Sequence, residues 1–504
     1  MKDLQRDKEF WTKSSHHEVS VPVGWDINHK EVCFEIGKAQ NHTLICGRSG
    51  SGKSNFLHVL IQNLAFYYDP DEVQLFLLDY KEGVEFNAYT DPILEHARLV
   101  SVASSVGFGV SFLSWLCGEM EKRSNLFKQF KVKDLSDYRK HEKMPRLIVV
   151  IDEFQVLFSD KSTQMKGNVE RSLNTLLKKG RSYGVHLVLA TQTMRGGEID
   201  SSFKAQIANR IALPMDADDS AKILGNDAAC ELVRPEGIFN NDGGHQKYHT
   251  KMSIPKAPDD FTAFIKKIHE EFNQRNLTPI DRKIYNGETA LKMPHTLKAN
   301  EMRLHLGKEV DYEQKDLIVE FENNESHLLV VSQDLNARIA LMKLLFQNIK
   351  STNKELVFCN KEKRLIRFFD AQKEYGITPV ENILSVLDTA MNPNSALVID
   401  NLNEAKELHD KIGVEKLKSF LEKAIDNEQY CIIFAHDYKQ IKANYHLDKL
   451  RELLNHHFKQ CLAFKCNGEN LNALKSNLSL PSKLNALFVE LSKDSHTEFR
   501  PFSL

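Results

Sequence analysis

The stretch CGRSGSGKS (Cys46–Ser54) constrains the fold of this chain more than any other. It joins a short apolar run, HTLIC (His42–Cys46), to a long amphipathic one, KSNFLHVLIQNLAFYY, which reads as strand, glycine-rich turn, helix. Gly47, Gly52, Lys53 and Ser54 complete the spacing G-x-x-x-x-G-K-[ST]. The glycines matter because a Cβ would oppose the torsion angles that turn successive backbone N–H groups toward one point. The resulting cradle runs from Gly47 through Arg48, Ser49, Gly50, Ser51 and Gly52 to Lys53 and Ser54, and it suits a triphosphate. Lys53 reaches the β- and γ-phosphates, the Ser54 hydroxyl ligates Mg²⁺, and the helix aims its positive end at the same charge. The expected cofactors are therefore ATP and Mg²⁺.

Further apolar runs follow: VQLFLLD (Val73–Asp79), RLIVVID (Arg146–Asp152), VHLVLATQ (Val185–Gln192) and, as a fifth strand, RIALPM (Arg210–Met215). Continuous rather than alternating apolar runs mean strands covered on both faces, so the expectation is a parallel α/β sheet. Two of these strands end in chemistry. Asp152 closes one and is placed to hold Mg²⁺ through its water; Glu153, next along, is placed to polarise the attacking water as general base. Thr191-Gln192 closes another, which puts the Gln192 amide near the γ-phosphate as a sensor. The expected catalytic set is Lys53, Glu153 and Gln192, with Ser54 and Asp152 on the metal.

The rhythm then repeats. Beyond a polar stretch ending near Leu291 come HLLVVS (His327–Ser332), LVFCN (Leu356–Asn360), ALVIDN (Ala396–Asn401), YCIIFAHD (Tyr430–Asp437) and CLAFK (Cys461–Lys465). A shift of 285 positions lays LICGRSGSGKSNFLHVLIQNL on LVVSQDLNARIALMKLLFQNI without a gap, which reads as an internal duplication. The second copy has lost the grip: Ser332 stands for Gly47, Ala337 for Gly52, Arg338 for Lys53 and Ile339 for Ser54. Asp400 keeps the acid, Asn401 takes the general-base position, and His436-Asp437 replaces Thr191-Gln192. No hydrolysis is expected there. The chain divides accordingly into a lead (1–20), a nucleotide-binding domain with its linker helix (21–290) and a degenerate copy (291–504).

A chain of 504 residues is too long for one core, and its net charge of −2 leaves nucleic-acid contact to local patches or to charge concentrated by oligomer symmetry. Candidate basic contacts are Lys178, Lys179, Arg181, Arg195 and Lys204. The 8 cysteines show no metal spacing and read as buried free thiols in a reducing cytoplasm. The start has no apolar leader and no stretch is long and apolar enough to span a bilayer, so a cytoplasmic protein is expected, held at a membrane only through a partner.

These elements together resemble the FtsK/SpoIIIE family of motor ATPases in the RecA-like P-loop class. The matching text runs roughly from Val21 to Gly244 and includes VPVGWD, LLDYKEGVEFNAY, GEMEKRSNLF, MPRLIVVIDEFQVLF, LLKKGRSYGVHLVLATQ and DDSAKILGNDAACEL. The resemblance implies homo-hexameric rings that hydrolyse ATP at subunit interfaces and move a polymer, double-stranded DNA in most members and protein in the type VII secretion branch; double-stranded DNA is the expected substrate here, with protein export or remodelling as the alternative. It also implies an arginine that completes the neighbour's site, for which Arg123, Arg181 and Arg210 are candidates. Where the family often has Asp-Ser-Arg, this chain reads Asp219, Ser220, Ala221, with Lys222 one place on. DYKEGVEF is closer to secretion-type members, and tandem active and degenerate modules occur there too.

Overall fold

The computed structural model describes residues 5, 9–37, 40–81, 85–159, 163–194, 201–292, 303–321, 327–352, 354–362, 370–388, 391–424, 426–476, 478, 480–481, 484–491 and 495–503. Arg195 lies outside them. Internal contacts divide the chain into two compact units, residues 1–288 and 289–504.

The first unit is built on one sheet. Its strands are β1 (Val19–Trp25), β2 (Glu31–Ile36), β3 (Thr43–Cys46), β4 (Val73–Asp79), β5 (Ala97–Val102), β6 (Arg146–Asp152), β7 (Val185–Thr191), β8 (Asn209–Ala212), β9 (Glu236–Asn240), β10 (His249–Ser253) and β11 (Lys283–Asn286). They lie in the order β11-β5-β4-β6-β7-β3-β8-β9-β10-β1-β2. From β11 to β8 every pairing is parallel, and from β8 onward every pairing is antiparallel. The α/β expectation holds, with a wing of antiparallel strands that continuous apolar runs did not announce. Every residue of β3, β4, β6 and β7 is buried, as strands covered on both faces require. The helix Lys53–Tyr67 departs from the amphipathic reading: from Val59 to Tyr67 every residue is buried. The antiparallel wing covers its outer side, where Asn63 Nδ2 donates to the Pro22 carbonyl at 2.7 Å.

The second unit contains β12 (Leu291–Lys292), β13 (Arg303–Glu309), β14 (Asp316–Glu320), β15 (His327–Val331), β16 (Glu355–Cys359), β17 (Ser395–Ile399), β18 (Tyr430–Ala435), β19 (Gln460–Ala463), β20 (Ala486–Glu490) and β21 (Ser495–Ser503). Their order is β14-β13-β21-β20-β19-β15-β18-β17-β16, with β12 beside β21. This is β2-β1-β10-β9-β8-β3-β7-β6-β4 over again, with the same switch from parallel to antiparallel after β19. Even an irregularity is repeated: β1 breaks register at Pro22/Gly24 and β13 at His305/Gly307. Both glycines press on the backbone of the neighbouring strand, where a Cβ would come within 2.5 Å of the Ser253 carbonyl oxygen and 1.9 Å of the Arg500 one.

Register corrects one assignment made from sequence. Cys46 pairs with Thr191 and Val331 with Ala435, so Ala435-His436, not His436-Asp437, stand where Thr191-Gln192 stand. The eight cysteines are free, but only five are buried; Cys230 is exposed and Cys33 and Cys117 are half-buried, because those three sit at sheet edges and helix surfaces rather than in the central strands. No described helix is long and apolar enough to cross a membrane.

Candidate nucleotide site

The parallel strands deliver their C-terminal ends to one edge of the first sheet, where the glycine loop leaves β3. The loop is anchored by its backbone: Gly47 N–H donates to the Thr191 carbonyl at 3.2 Å and Arg48 N–H to that of Pro214 at 3.1 Å. A Cβ on Gly47 would lie 2.5 Å from Ser51 Oγ. Arg48, Ser49 and Gly50 form the exposed crest, and Ser51 turns inward. Gly52 caps the helix with φ 98, a left-handed value, and among the described residues no side chain satisfies the helix's first N–H groups. Ser51 Oγ is itself buried with no hydrogen-bond partner among the described residues. Open amides, an unspent hydroxyl and the positive end of a helix are what a phosphate chain needs, so these residues fit a bound nucleotide.

Lys53 connects the loop to the acidic strand. Its Nζ contacts Asp152 Oδ1 and lies 2.9 Å from Glu153 Oε1, all three side chains being buried. Burial disfavours the ammonium, but the two carboxylates outweigh it and hold the Lys53 pKa above the ordinary lysine value. Burial likewise pushes Asp152 upward against the pull of Lys53. For Glu153 burial is overcome by Lys53, Gln155 and the Gln192 amide, and its pKa falls below the usual carboxylate value. Glu153 sits at φ 54, a strained torsion for a side chain of this size, held by those same contacts. Its Oε2 accepts from Gln155 Nε2 at 2.7 Å and from the Gln192 backbone N–H at 3.1 Å.

The structure thus brings Lys53, Asp152, Glu153 and Gln192 together, with Gln192 engaging Glu153 through its backbone. Asp219 fixes the turn beyond Gln192, accepting from Thr193 Oγ1 at 3.1 Å and Met194 N at 2.8 Å. The Ser54 hydroxyl donates to Glu85 Oε1 at 2.5 Å, a partner that strand patterns did not single out. Asp79 was missed too. It ends β4 directly opposite Asp152 and is pushed up to about 6 by burial, against the N–H groups of Lys81 and Glu85 that it accepts. An acid closing an apolar strand was the available signal, the same one that marks Asp152. Arg123 donates to the Pro145 and Tyr183 carbonyls and Arg210 to that of Ile223, whereas Arg181 is exposed. Arg234 lies beside Gly52, its Nε 3.7 Å from where a Cβ would stand.

At the matching edge of the second unit the same positions do different work. The helix begins earlier, at Leu335, and the Asp334 carboxylate caps it by accepting from Ala337 N at 3.0 Å. Arg338 is fully buried, its Nη2 3.2 Å from Glu362 Oε2 and its Nη1 donating to the Asp400 carbonyl at 3.3 Å. Asn401 Nδ2 donates to the same Glu362 oxygen at 3.2 Å.

A parallel sheet with a glycine loop on its central strand and an acidic pair on the next strand but one defines a P-loop nucleotide-binding fold. The family model described as FtsK/SpoIIIE family matches residues 1–259, more than half of the chain, and the chain belongs to that family. The ESX secretion system protein YukB of Bacillus subtilis (strain 168) is 32% identical over 265 residues, which cover 50% of this chain and 17% of YukB. The DNA translocase FtsK of Borreliella burgdorferi is 33% identical over 194 residues, 37% of this chain and 24% of that protein. This chain therefore spans less than a fifth of the length of the secretion relatives it matches. Among solved structures, EssC (ATPases 2 and 3) from Geobacillus thermodenitrificans superposes with a TM-score of 0.58 at 15% identity over 99% of both chains. Thermomonospora curvata EccC (ATPases 2 and 3), in complex with a signal sequence peptide, gives 0.60 at 14% identity over 99% of this chain and 96% of that one. The tandem α/β fold is shared across the described length.

Proposed function

We propose that the first unit binds ATP with Mg²⁺ and hydrolyses it, and that the second is a non-hydrolysing copy that contacts the substrate being moved. The observation that carries the reading is Lys53 held between Asp152 and Glu153 beside an uncapped helix start. Lys53, the loop amides and Ser51 bind the phosphates; Ser54 and Asp152 hold the metal, which supplies charge neutralisation on the phosphate oxygens. Glu153, kept ionised, accepts a proton from water; the Gln192 N–H just past β7 holds that carboxylate, and Asp219 fixes the turn that follows Gln192.

The substrate proposed is a polypeptide, in the manner of a type VII secretion ATPase. Support comes from the likeness of the whole tandem fold to EssC and EccC pieces and from the peptide named in the EccC structure. A cavity of about 1080 Å³ at the C-terminal strand ends of the second unit offers it a seat, lined by Asn360, Lys361, Glu362, Asn403, His436 and Gln440. A ring of six copies is part of this proposal, with Arg181 free to reach a neighbour.

A second reading, a motor on double-stranded DNA, is favoured by the similarity to the Borreliella FtsK and by exposed Lys178, Lys179 and Arg181. ATP turnover measured with long duplex DNA or with candidate secretion-signal peptides separates them. Stimulation by DNA that weakens steeply with salt selects the DNA reading, since phosphate contacts release counterions. Stimulation by peptide alone selects the secretion reading. A mass measurement of the ATP-bound assembly tests the ring.

A further inference from the structure

Glu85 ties the serine of the phosphate loop to the end of β4. Its Oε1 accepts the Ser54 hydroxyl at 2.5 Å, a short charge-assisted bond. Its backbone N–H donates to Asp79 Oδ2 at 3.1 Å while Lys81 N donates to Asp79 Oδ1 at 2.7 Å, so Asp79 fixes where Glu85 stands. The other carboxylate oxygen faces His58 Nε2 at 3.8 Å. Burial pushes the His58 pKa down to about 4, so this imidazole brings no positive charge at neutral pH; its Nδ1 is spent on Tyr89 Oη at 3.0 Å. Among the described residues no lysine or arginine pairs with Glu85. A carboxylate with no cationic partner therefore stands against the serine of a phosphate loop. The described residues contain no group of three or more His, Cys, Asp or Glu arranged to hold a metal unaided, so a cation here needs Ser54 and the phosphates.

A serine hydroxyl has one proton and two lone pairs. Donating the proton to a carboxylate fixes the rotor and turns both lone pairs away from that carboxylate, as an outer partner does for a metal-binding histidine. We infer that Glu85 is a positioning residue for the metal half of the nucleotide site: it takes the Ser54 proton so that Ser54 Oγ presents its lone pairs to the divalent cation that accompanies the triphosphate. The inference rests on the ATP–Mg²⁺ reading given above. It has an electrostatic corollary. The Glu85 charge favours the metal-bound nucleotide and repels the metal-free one, so the two affinities should respond to its removal in opposite senses.

The test uses the full chain and a fluorescent ATP analogue, titrated with Mg²⁺ and, separately, in EDTA. Glu85→Ala should raise the Mg²⁺ concentration for half-maximal binding tenfold or more, the scale of outer-partner losses at metal sites, and Glu85→Gln, which removes the charge but keeps an acceptor, should raise it by less. Affinity in EDTA should stay level or tighten. Adding Glu85→Ala to Ser54→Ala should cost less than Glu85→Ala costs alone, because the part that acts through the hydroxyl is already gone and only the charge effect remains. Glu85→Gln keeps an acceptor for the hydroxyl and so guards against a trivial folding defect. The inference is overturned if the Mg²⁺ titrations of both variants superimpose on the wild type. It is equally overturned if affinity falls alike in Mg²⁺ and EDTA, which is what a merely structural latch would do. Wild-type protein that binds no nucleotide in either condition overturns the ATP reading itself, and this inference with it.

Discussion

Lys53 and Arg338 hold the same position in the two repeats, yet one side chain reaches across a nucleotide loop and the other is locked into a closed network. Lys53 opens its helix behind an uncapped Gly52, while Arg338 lies a full turn inside a helix already capped by Asp334. A phosphate arriving at the second helix would meet the Asp334 carboxylate where the first offers free N–H groups. The expected stoichiometry is one ATP per chain by equilibrium dialysis. Lys53→Ala should lower it to none, and Arg338→Lys should leave it at one.

Glu153→Gln separates binding from chemistry. The amide keeps one acceptor oxygen, enough for either Lys53 or the Gln192 N–H, which lie on different oxygens of the carboxylate, and Lys53 stays paired with Asp152, so the loop should still hold nucleotide. It cannot take a proton from water at neutral pH. Phosphate release should fall about 10²–10⁴-fold, the usual contribution of a positioned general base, with ATP retained by filter binding. Loss of binding together with turnover would mean that Glu153 serves only to hold the site in shape.

Arg338 and Glu362 form a buried pair, and removing the guanidinium takes the buried Glu362 carboxylate's cation away. Arg338→Met should destabilise the second unit by about 3–5 kcal/mol, whereas Arg338→Met combined with Glu362→Gln should recover much of that loss. Thermal unfolding of the four proteins in the cycle checks it. Equal costs in the single and double variants would show that the guanidinium matters for volume rather than charge.

Much of this site could be read from the residues because its chemistry is local. The glycine loop, Lys53, Ser54 and the Asp152-Glu153 pair each sit within a few positions of an apolar strand that declares itself. The degenerate copy was legible for the same reason, position by position. What escaped was what depends on distant segments meeting. Glu85 follows β4 by six residues and matters only because the chain folds it over Ser54. Arg338 reads as a lost lysine, but its partner Glu362 and the Asp334 cap that closes the helix start appear only in three dimensions. The antiparallel wing was unread because half-buried strands such as Glu31–Ile36, with charges alternating, give no continuous apolar run. The one-residue slip at His436 arose there too: sequence alone does not say where β18 stops pairing.

Acid should weaken the first unit through His42. Its Nδ1 accepts the Leu187 N–H at 3.0 Å and its Nε2 lies 3.1 Å from the Leu177 carbonyl oxygen, an arrangement only the neutral ring satisfies. Burial pushes its pKa down to about 4, against the Leu177 carbonyl, which favours the proton. An unfolded chain takes that proton near pH 6.5, so between pH 6.5 and 4 it binds a proton that the folded chain refuses. Stability from this group is therefore complete above pH 6.5 and drains away as the pH falls toward 4. A shift of this size corresponds to about 3 kcal/mol at most. His96, also buried and pushed down to about 4, adds to the same slope. Denaturant unfolding between pH 7.5 and 4.5 should show stability dropping with acidification, and His42→Asn, which keeps an acceptor for Leu187, should start less stable but fall more gently. A variant curve parallel to the wild type would place the acid sensitivity elsewhere in the chain.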